Sequence, residues 1–170
     1  DGYRPEVNGG YAVVMASRGC PHACEFCSVT PMLGRAYRMR SIDLVMQDLG
    51  AVRHRHVFFY DDHFAANPRR TKELLRRIIA ERGRTHDVET FSAQIRADSA
   101  RDPELLDLMA EAGFNQLYIG FESVNPRTLE LYRKHQTLED IETAAREIHE
   151  RRMAIHGMFV FGSDDDTTEN

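Results

Sequence analysis

The stretch Tyr11-Ala12-Val13-Val14-Met15-Ala16-Ser17-Arg18-Gly19-Cys20-Pro21-His22-Ala23-Cys24-Glu25-Phe26-Cys27 decides how the rest of the chain is read. Its first five residues form a short apolar run with β-branched members, the mark of a buried strand. The run ends in a loop that holds all three cysteines of the chain, spaced C-x3-C-x2-C. A disulfide framework would use an even number of thiols spread along the chain to close long loops. Clustered thiols point instead to metal and to a reducing cytoplasm.

Outward from that loop, strand-like and helix-like segments alternate. Ser41 to Val52 reads as a helix capped by Ser41, with Leu44, Val45, Asp48 and Leu49 setting the period. His56 to Tyr60 is a second strand. Asn67-Pro68 supplies a cap and a proline at the first helical position, and the helix that follows buries Leu74, Leu75, Ile78 and Ile79 and stops at Gly83. Val88 to Arg96 is strand three; Asp102-Pro103 opens a helix that Gly113 closes. Phe114 to Phe121 is strand four. Asn125-Pro126 starts a short helix to Tyr132, and Thr137-Leu138-Glu139-Asp140 resembles a capping box before a helix to Arg152. Ala154 to Phe161 is strand five. This β(αβ)4 order gives, through right-handed crossovers, a parallel sheet that is either a curved partial barrel or an open doubly wound sheet. Residues 1–10 read as a leading linker and 11–170 as one domain, with Ser163 to Asn170 a strand-to-helix loop of a longer protein.

Composition narrows the classes. The 170 residues carry 22 Lys plus Arg against 27 Asp plus Glu, a net charge of −5, which leaves no footprint for generic nucleic-acid binding. No apolar run approaches the ~20 residues of a membrane-spanning helix. The basic runs Arg35, Arg38, Arg40 and Arg53-His54-Arg55-His56 read as solvated faces, as does Asp164-Asp165-Asp166.

Three thiolates on one tight loop suit three irons of a 4Fe–4S cube and leave the fourth iron open for chemistry. A structural zinc site of the three cysteines plus His22 is the competing reading, although His22 falls between two of them rather than on a separate loop. A non-catalytic zinc- or cluster-binding module is therefore the alternative from another class, and His22 itself reads as an exposed loop residue.

Cys20, Cys24, Phe26 and Cys27 match position for position the C-x3-C-x-aromatic-C motif of the radical S-adenosylmethionine (SAM) superfamily, which the chain resembles. Tyr60-Asp61-Asp62-His63-Phe64, Gln94-Ile95-Arg96, Ile119-Gly120-Phe121-Glu122-Ser123 and Gly157-Met158-Phe159-Val160-Phe161-Gly162 resemble the subgroup often fused to an N-terminal cobalamin-binding domain. The resemblance implies an α/β fold, a partial parallel (β/α) barrel truncated after about five strands. It implies a 4Fe–4S cluster on Cys20, Cys24 and Cys27, whose open iron binds SAM for reductive cleavage to a 5′-deoxyadenosyl radical that abstracts hydrogen or drives group transfer. Cobalamin would come from a domain outside this chain. A cobalamin-dependent methyl transfer is the runner-up reaction, with methylthio transfer to transfer RNA behind it.

The resemblance also distributes roles. Asp61 and Asp62 would receive the methionine ammonium, and Arg96 its carboxylate, unless it forms a structural ion pair with Asp62, Asp98 or Glu122. Glu122 would bind the ribose hydroxyls, beside Gly120, which lets a ligand approach the backbone. Phe26, Val160 and Gly162 would contact adenine, and His63 reads as structural. The partners implied are a small-molecule substrate and an electron donor such as flavodoxin or ferredoxin.

Overall fold

All the α-helices but the first begin where the sequence supplies a side-chain acceptor for an orphan backbone N–H. The computed structural model describes residues 6–7, 10–84 and 88–164. Its strands are Glu6–Val7 (β1), Tyr11–Val14 (β2), Ser17–Arg18 (β3), Arg38–Met39 (β4), His56–Phe59 (β5), Thr90–Ile95 (β6), Phe114–Glu122 (β7) and Ala154–Phe159 (β8). The helices are Val29–Leu33 (α1), Ile42–Ala51 (α2), Pro68–Glu81 (α3), Pro103–Ala112 (α4), Pro126–Leu131 (α5) and Leu138–Glu150 (α6), with a 3-10 turn at Ala97–Arg101. Ser41, Asn67, Asp102, Asn125 and Thr137 all cap as their sequence predicts, and Thr137 with Asp140 forms the reciprocal capping box. Gly113 ends α4 in the left-handed conformation.

The main sheet has strand order β1-β2-β5-β6-β7-β8, parallel from β2 onward, and β1 antiparallel to β2. A doubly wound sheet reverses direction at a switch point; here the order from β2 to β8 never reverses, so right-handed crossovers keep α2, α3, α4 and α6 on one face. That is a partial barrel wall. It is open, with β1 and β8 at its edges. The linker reading of the first ten residues falls partly outside the described residues, and Glu6–Val7 pairs with Tyr11 and Ala12. Asp165 and Asp166 of the acidic run also lie outside them.

Period two sorts the strands cleanly. Ala12, Val14, Val57, Phe59, Phe91, Ala93, Ile95, Leu117 and Ile119 face the helices and are buried. Phe59, Phe91 and Phe114 stack with centroids 5.4–5.9 Å apart, and Phe64 joins them 4.7 Å from Phe59. Helix α2 corrects one expectation. Val45, Met46 and Leu49 are its buried face, whereas Leu44 is exposed and Asp48 pairs with Arg40 at 2.6 Å. Leu75 lies fully buried on α3, and Leu75→Ala is expected to cost about 2–5 kcal/mol through lost contacts and a residual cavity. Urea unfolding would show a lower midpoint at unchanged slope.

Candidate functional site

The cysteine loop is closed at its base by a ribbon the sequence did not announce. Ser17 pairs with Met39 and Arg18 with Arg38, antiparallel, and the Arg40 N–H donates to the Ala16 carbonyl at 2.9 Å. Gly19 stands at φ +88°, and a Cβ there would sit 2.5 Å from the Ala36 carbonyl oxygen, so only glycine lets the two sides close. Within the loop the Cys27 N–H donates to the Cys24 carbonyl at 3.1 Å, and the Thr30 hydroxyl donates to the His22 carbonyl at 2.9 Å.

The exit of β5 grips the same loop from below. Asp61, 3% exposed, accepts from the Ala16 N–H at 3.1 Å and from the Ser17 hydroxyl. Asp62 accepts from the Gly19 N–H at 2.8 Å. The His63 ring meets the His22 ring, centroids 5.8 Å apart. Three successive residues thus fasten four points along residues 16–22. Burial pushes the Asp61 carboxyl up to about 6 against the opposing pull of its bonds from Ser17 and Ala16. Burial likewise pushes the Cys20 thiol up and His63 down to about 3.

A second clasp joins the loop to the turn between α5 and α6. The Glu25 N–H donates to the Tyr132 carbonyl at 3.0 Å, Glu25 pairs with Arg133 at 2.9 Å, and Phe26 lies 5.1 Å from the Tyr132 ring. Arg133 and His135 both adopt positive φ. The turn is held by Arg96, whose Nη2 donates to the Lys134 carbonyl at 2.6 Å while its Nε reaches both Asp98 oxygens at 3.2 Å. Lys134 in turn places Nζ 2.9 Å from Glu122 Oε1 and 5.8 Å from the Phe26 ring centroid. Gly120 makes that pair possible, since a Cβ there would collide with Glu122 Oε1. Glu122 itself sits at φ 64°, a left-handed conformation costing on the order of 1–3 kcal/mol, at a register shift where Val160 N–H donates to its carbonyl at 2.9 Å.

These elements enclose one cleft at the carboxyl ends of the parallel strands. Its lining unites Cys20, Cys24, Cys27, Phe26, Asp62, Arg96 and Glu122 from the sequence reading. It also holds Gln94 and Gly120, both within the motifs quoted from the sequence, and adds His22, His63 and Lys134. Asp61, Val160 and Gly162 are not among the lining residues. His22, read as exposed, is half-buried, and Arg96 has the Asp98 partner among its expected alternatives. Lys134 escaped the sequence reading because a lone lysine in the polar run Arg133-Lys134-His135 carries no periodic or motif signal. Larger hollows of about 650 Å³ lie elsewhere, one along α5 and the start of α6 and one between α2 and α3, and neither includes a cysteine.

Comparison with known proteins completes the assignment. The model of the radical SAM superfamily matches residues 14–170. Bacteriochlorophyllide d C-12(1)-methyltransferase of Chlorobaculum tepidum is 32% identical over 92% of this chain and 35% of its own length. Hopanoid C-2 methylase of Rhodopseudomonas palustris is 27% identical over 92% of this chain and 31% of its own. The radical SAM methyltransferase TsrM of Kitasatospora setae, solved with cobalamin and a 4Fe–4S cluster, superimposes with a TM-score of 0.83 at 24% identity, over 95% of this chain and 33% of that one. The chain belongs to the radical SAM superfamily, and it spans about a third of the length of these relatives.

The family's cofactors are a 4Fe–4S cluster and SAM, and the residues present fit them. Three free, half-buried thiols line one cleft with two cations, Arg96 and Lys134, beside them. Among the described residues no three His, Cys, Asp or Glu side chains converge as a single metal ion requires.

Between roughly pH 4 and 6 the folded chain keeps a proton on Asp61 that the unfolded chain has released. That contribution favours folding at acid pH and is lost as pH rises through about 6. Asp61→Asn, which does not titrate, is expected to show a smaller fall in thermal midpoint than wild type between pH 4 and 7, measured by circular dichroism.

Proposed function

We propose that this chain is the SAM-binding core of a cobalamin-dependent radical SAM methyltransferase acting on a small-molecule substrate. The observation that carries the reading is the cleft that gathers three free thiols, an aromatic ring, two carboxylates and two cations at the strand ends. Methyl transfer is supported by the relatives, named as methyltransferases or methylases of bacteriochlorophyllide and of hopanoids. Cobalamin is supported by the fold shared with TsrM and with OxsB, described as a cobalamin-dependent enzyme, and would be bound by a domain outside this chain.

When bound, the cluster and SAM supply reductive cleavage of a SAM carbon–sulfur bond, and cobalamin a means of carrying methyl. Cys20, Cys24 and Cys27 would hold three irons as thiolates, each thiol releasing its proton on loading. Asp62 spends Oδ2 on the Gly19 N–H, and Oδ1 is the oxygen assigned to the SAM ammonium. Lys134 is the cation assigned to the carboxylate, because Arg96 is drawn to Asp98 and the Lys134 carbonyl and so acts as the post that holds Lys134 in place. Glu122, released from Lys134 by that exchange, accepts from the ribose hydroxyls. Phe26 would hold the adenine, and Val160, whose N–H donates to the Glu122 carbonyl beside the cleft, would with Gly162 form a second wall only on the cleft's margin. Asp61 shapes the loop and does not touch the cofactor. Flavodoxin or ferredoxin is the electron donor, and the cytoplasm the compartment that keeps such thiols reduced. Among the described residues no helix is long and apolar enough to cross a membrane.

Anaerobic reconstitution with iron and sulfide, read by electron paramagnetic resonance of the reduced protein, tests the core of this proposal. A 4Fe–4S signal that changes on adding SAM supports it; zinc uptake with no cluster overturns it. Cys24→Ala is expected to abolish the signal. Lys134→Met is expected to keep the cluster and weaken SAM binding about 10- to 100-fold, the loss of one charge-assisted hydrogen bond. Unchanged affinity in equilibrium dialysis would return the carboxylate to Arg96.

A further inference from the structure

One side chain in the cleft has unmet hydrogen-bonding capacity. His63 is 5% exposed, lines the cleft with the three cysteines, and its Nδ1 is buried without a hydrogen-bond partner. Its neighbours Asp61 and Asp62 both satisfy loop backbone, so the β5 exit is rigidly registered against residues 16–19. The ring contact with His22, which lies between Cys20 and Cys24, directs His63 toward the same loop. Native structures rarely leave a buried polar nitrogen unpaired, and the usual remedy at a binding site is a group the ligand brings.

We propose that His63 donates a hydrogen bond from its imidazole N–H to a sulfur of the cluster held by Cys20, Cys24 and Cys27, and that this bond raises the cluster's reduction potential. The inference rests on the cluster reading above. A neutral imidazole keeps one N–H, and sulfide and thiolate sulfurs are the acceptors a cube presents on its protein side. Reduction by ferredoxin or flavodoxin adds one electron to the cube, with no proton transferred and no bond broken. The centre becomes more negative, so a donor aimed at its sulfur favours the reduced form more than the oxidised one. The sequence reads His63 as structural, and its burial agrees; the orphan nitrogen is what a purely structural role leaves unexplained.

The test is a redox titration of the reconstituted protein followed by electron paramagnetic resonance without SAM. His63→Leu, which fills space without a donor, is expected to move the midpoint to more negative potential and alter the g-values. His63→Asn, whose amide nitrogen falls near the Nδ1 position, is expected to restore part of the shift. Potentials and g-values identical in wild type and His63→Leu overturn the proposal. Should His63→Leu fail to hold a cluster, the His22→Phe variant, which retains His63, prepared with 15N-labelled histidine, decides the matter. A weak 15N coupling to the reduced cluster supports the bond, and its absence overturns it. A wild-type chain that forms no cluster overturns this inference and the function together, whereas a cluster indifferent to His63 overturns this inference alone.

Discussion

The carboxylate of Asp61 is the joint between scaffold and chemistry. It takes the Ala16 N–H and the Ser17 hydroxyl just where the chain leaves β2, and without that anchor the turn into the cysteine loop would expose two unpaired polar groups in a buried place. Desolvation works against the ionised acid there, which is why its proton is held so high. The hydrogen bonds from Ser17 and Ala16 offset part of that cost, while the neighbouring Asp62 carboxylate adds to it. What is gained is position: the β3–β4 ribbon, the glycine at its corner and the thiols beyond all take their bearings from a residue at the exit of the adjacent parallel strand.

A similar logic operates on the opposite wall. Glu122 and Lys134 form a buried ion pair, and such a pair adds little net stability over an apolar substitute because both charges are desolvated. It is held nonetheless by a strained backbone at Glu122, a glycine that clears room for the carboxylate, and an arginine that fixes the lysine's own carbonyl. Structure so arranged, at the end of a strand and facing a cleft, is organised for binding rather than for folding. The pair neutralises each member and presents a carboxylate and an ammonium to the same cleft.

Much of the fold was legible because its determinants are local. Alternation along Phe91 to Arg96 and along Phe114 to Gly120, and caps at Ser41, Asn67, Asp102, Asn125 and Thr137, each depend on residues a few positions apart. The choice of a barrel wall over a doubly wound sheet was not legible from pattern, since both use the same alternation and differ only in strand order. The ribbon Ser17–Arg18 with Arg38–Met39 is too short to show a period, and α1 contains Pro31 and buries no residue, so neither left a signal. Leu44 misled because apolar identity alone does not say which side of a helix meets the sheet.

The site divides along the same line. The thiols, Phe26 and Asp62 lie on segments whose chemistry is concentrated in sequence, and the cleft brings them together. Lys134 and His63 matter because of what lies opposite them across the cleft: Glu122 and Phe26 for the lysine, His22 for the histidine. Arg96 shows the intermediate case. Strand alternation correctly aimed it at the lumen, yet its function turns on Asp98, two residues along, and on a carbonyl 38 positions away. A guanidinium with two such anchors has a fixed plane and little remaining freedom to follow a ligand, whereas a lysine ammonium on a four-carbon stem can leave Glu122 and reach a carboxylate. Spatial partnership, which no reading of one strand supplies, therefore separates the two neighbouring cations: Arg96 is anchored on two sides, and Lys134 holds a single carboxylate across the cleft.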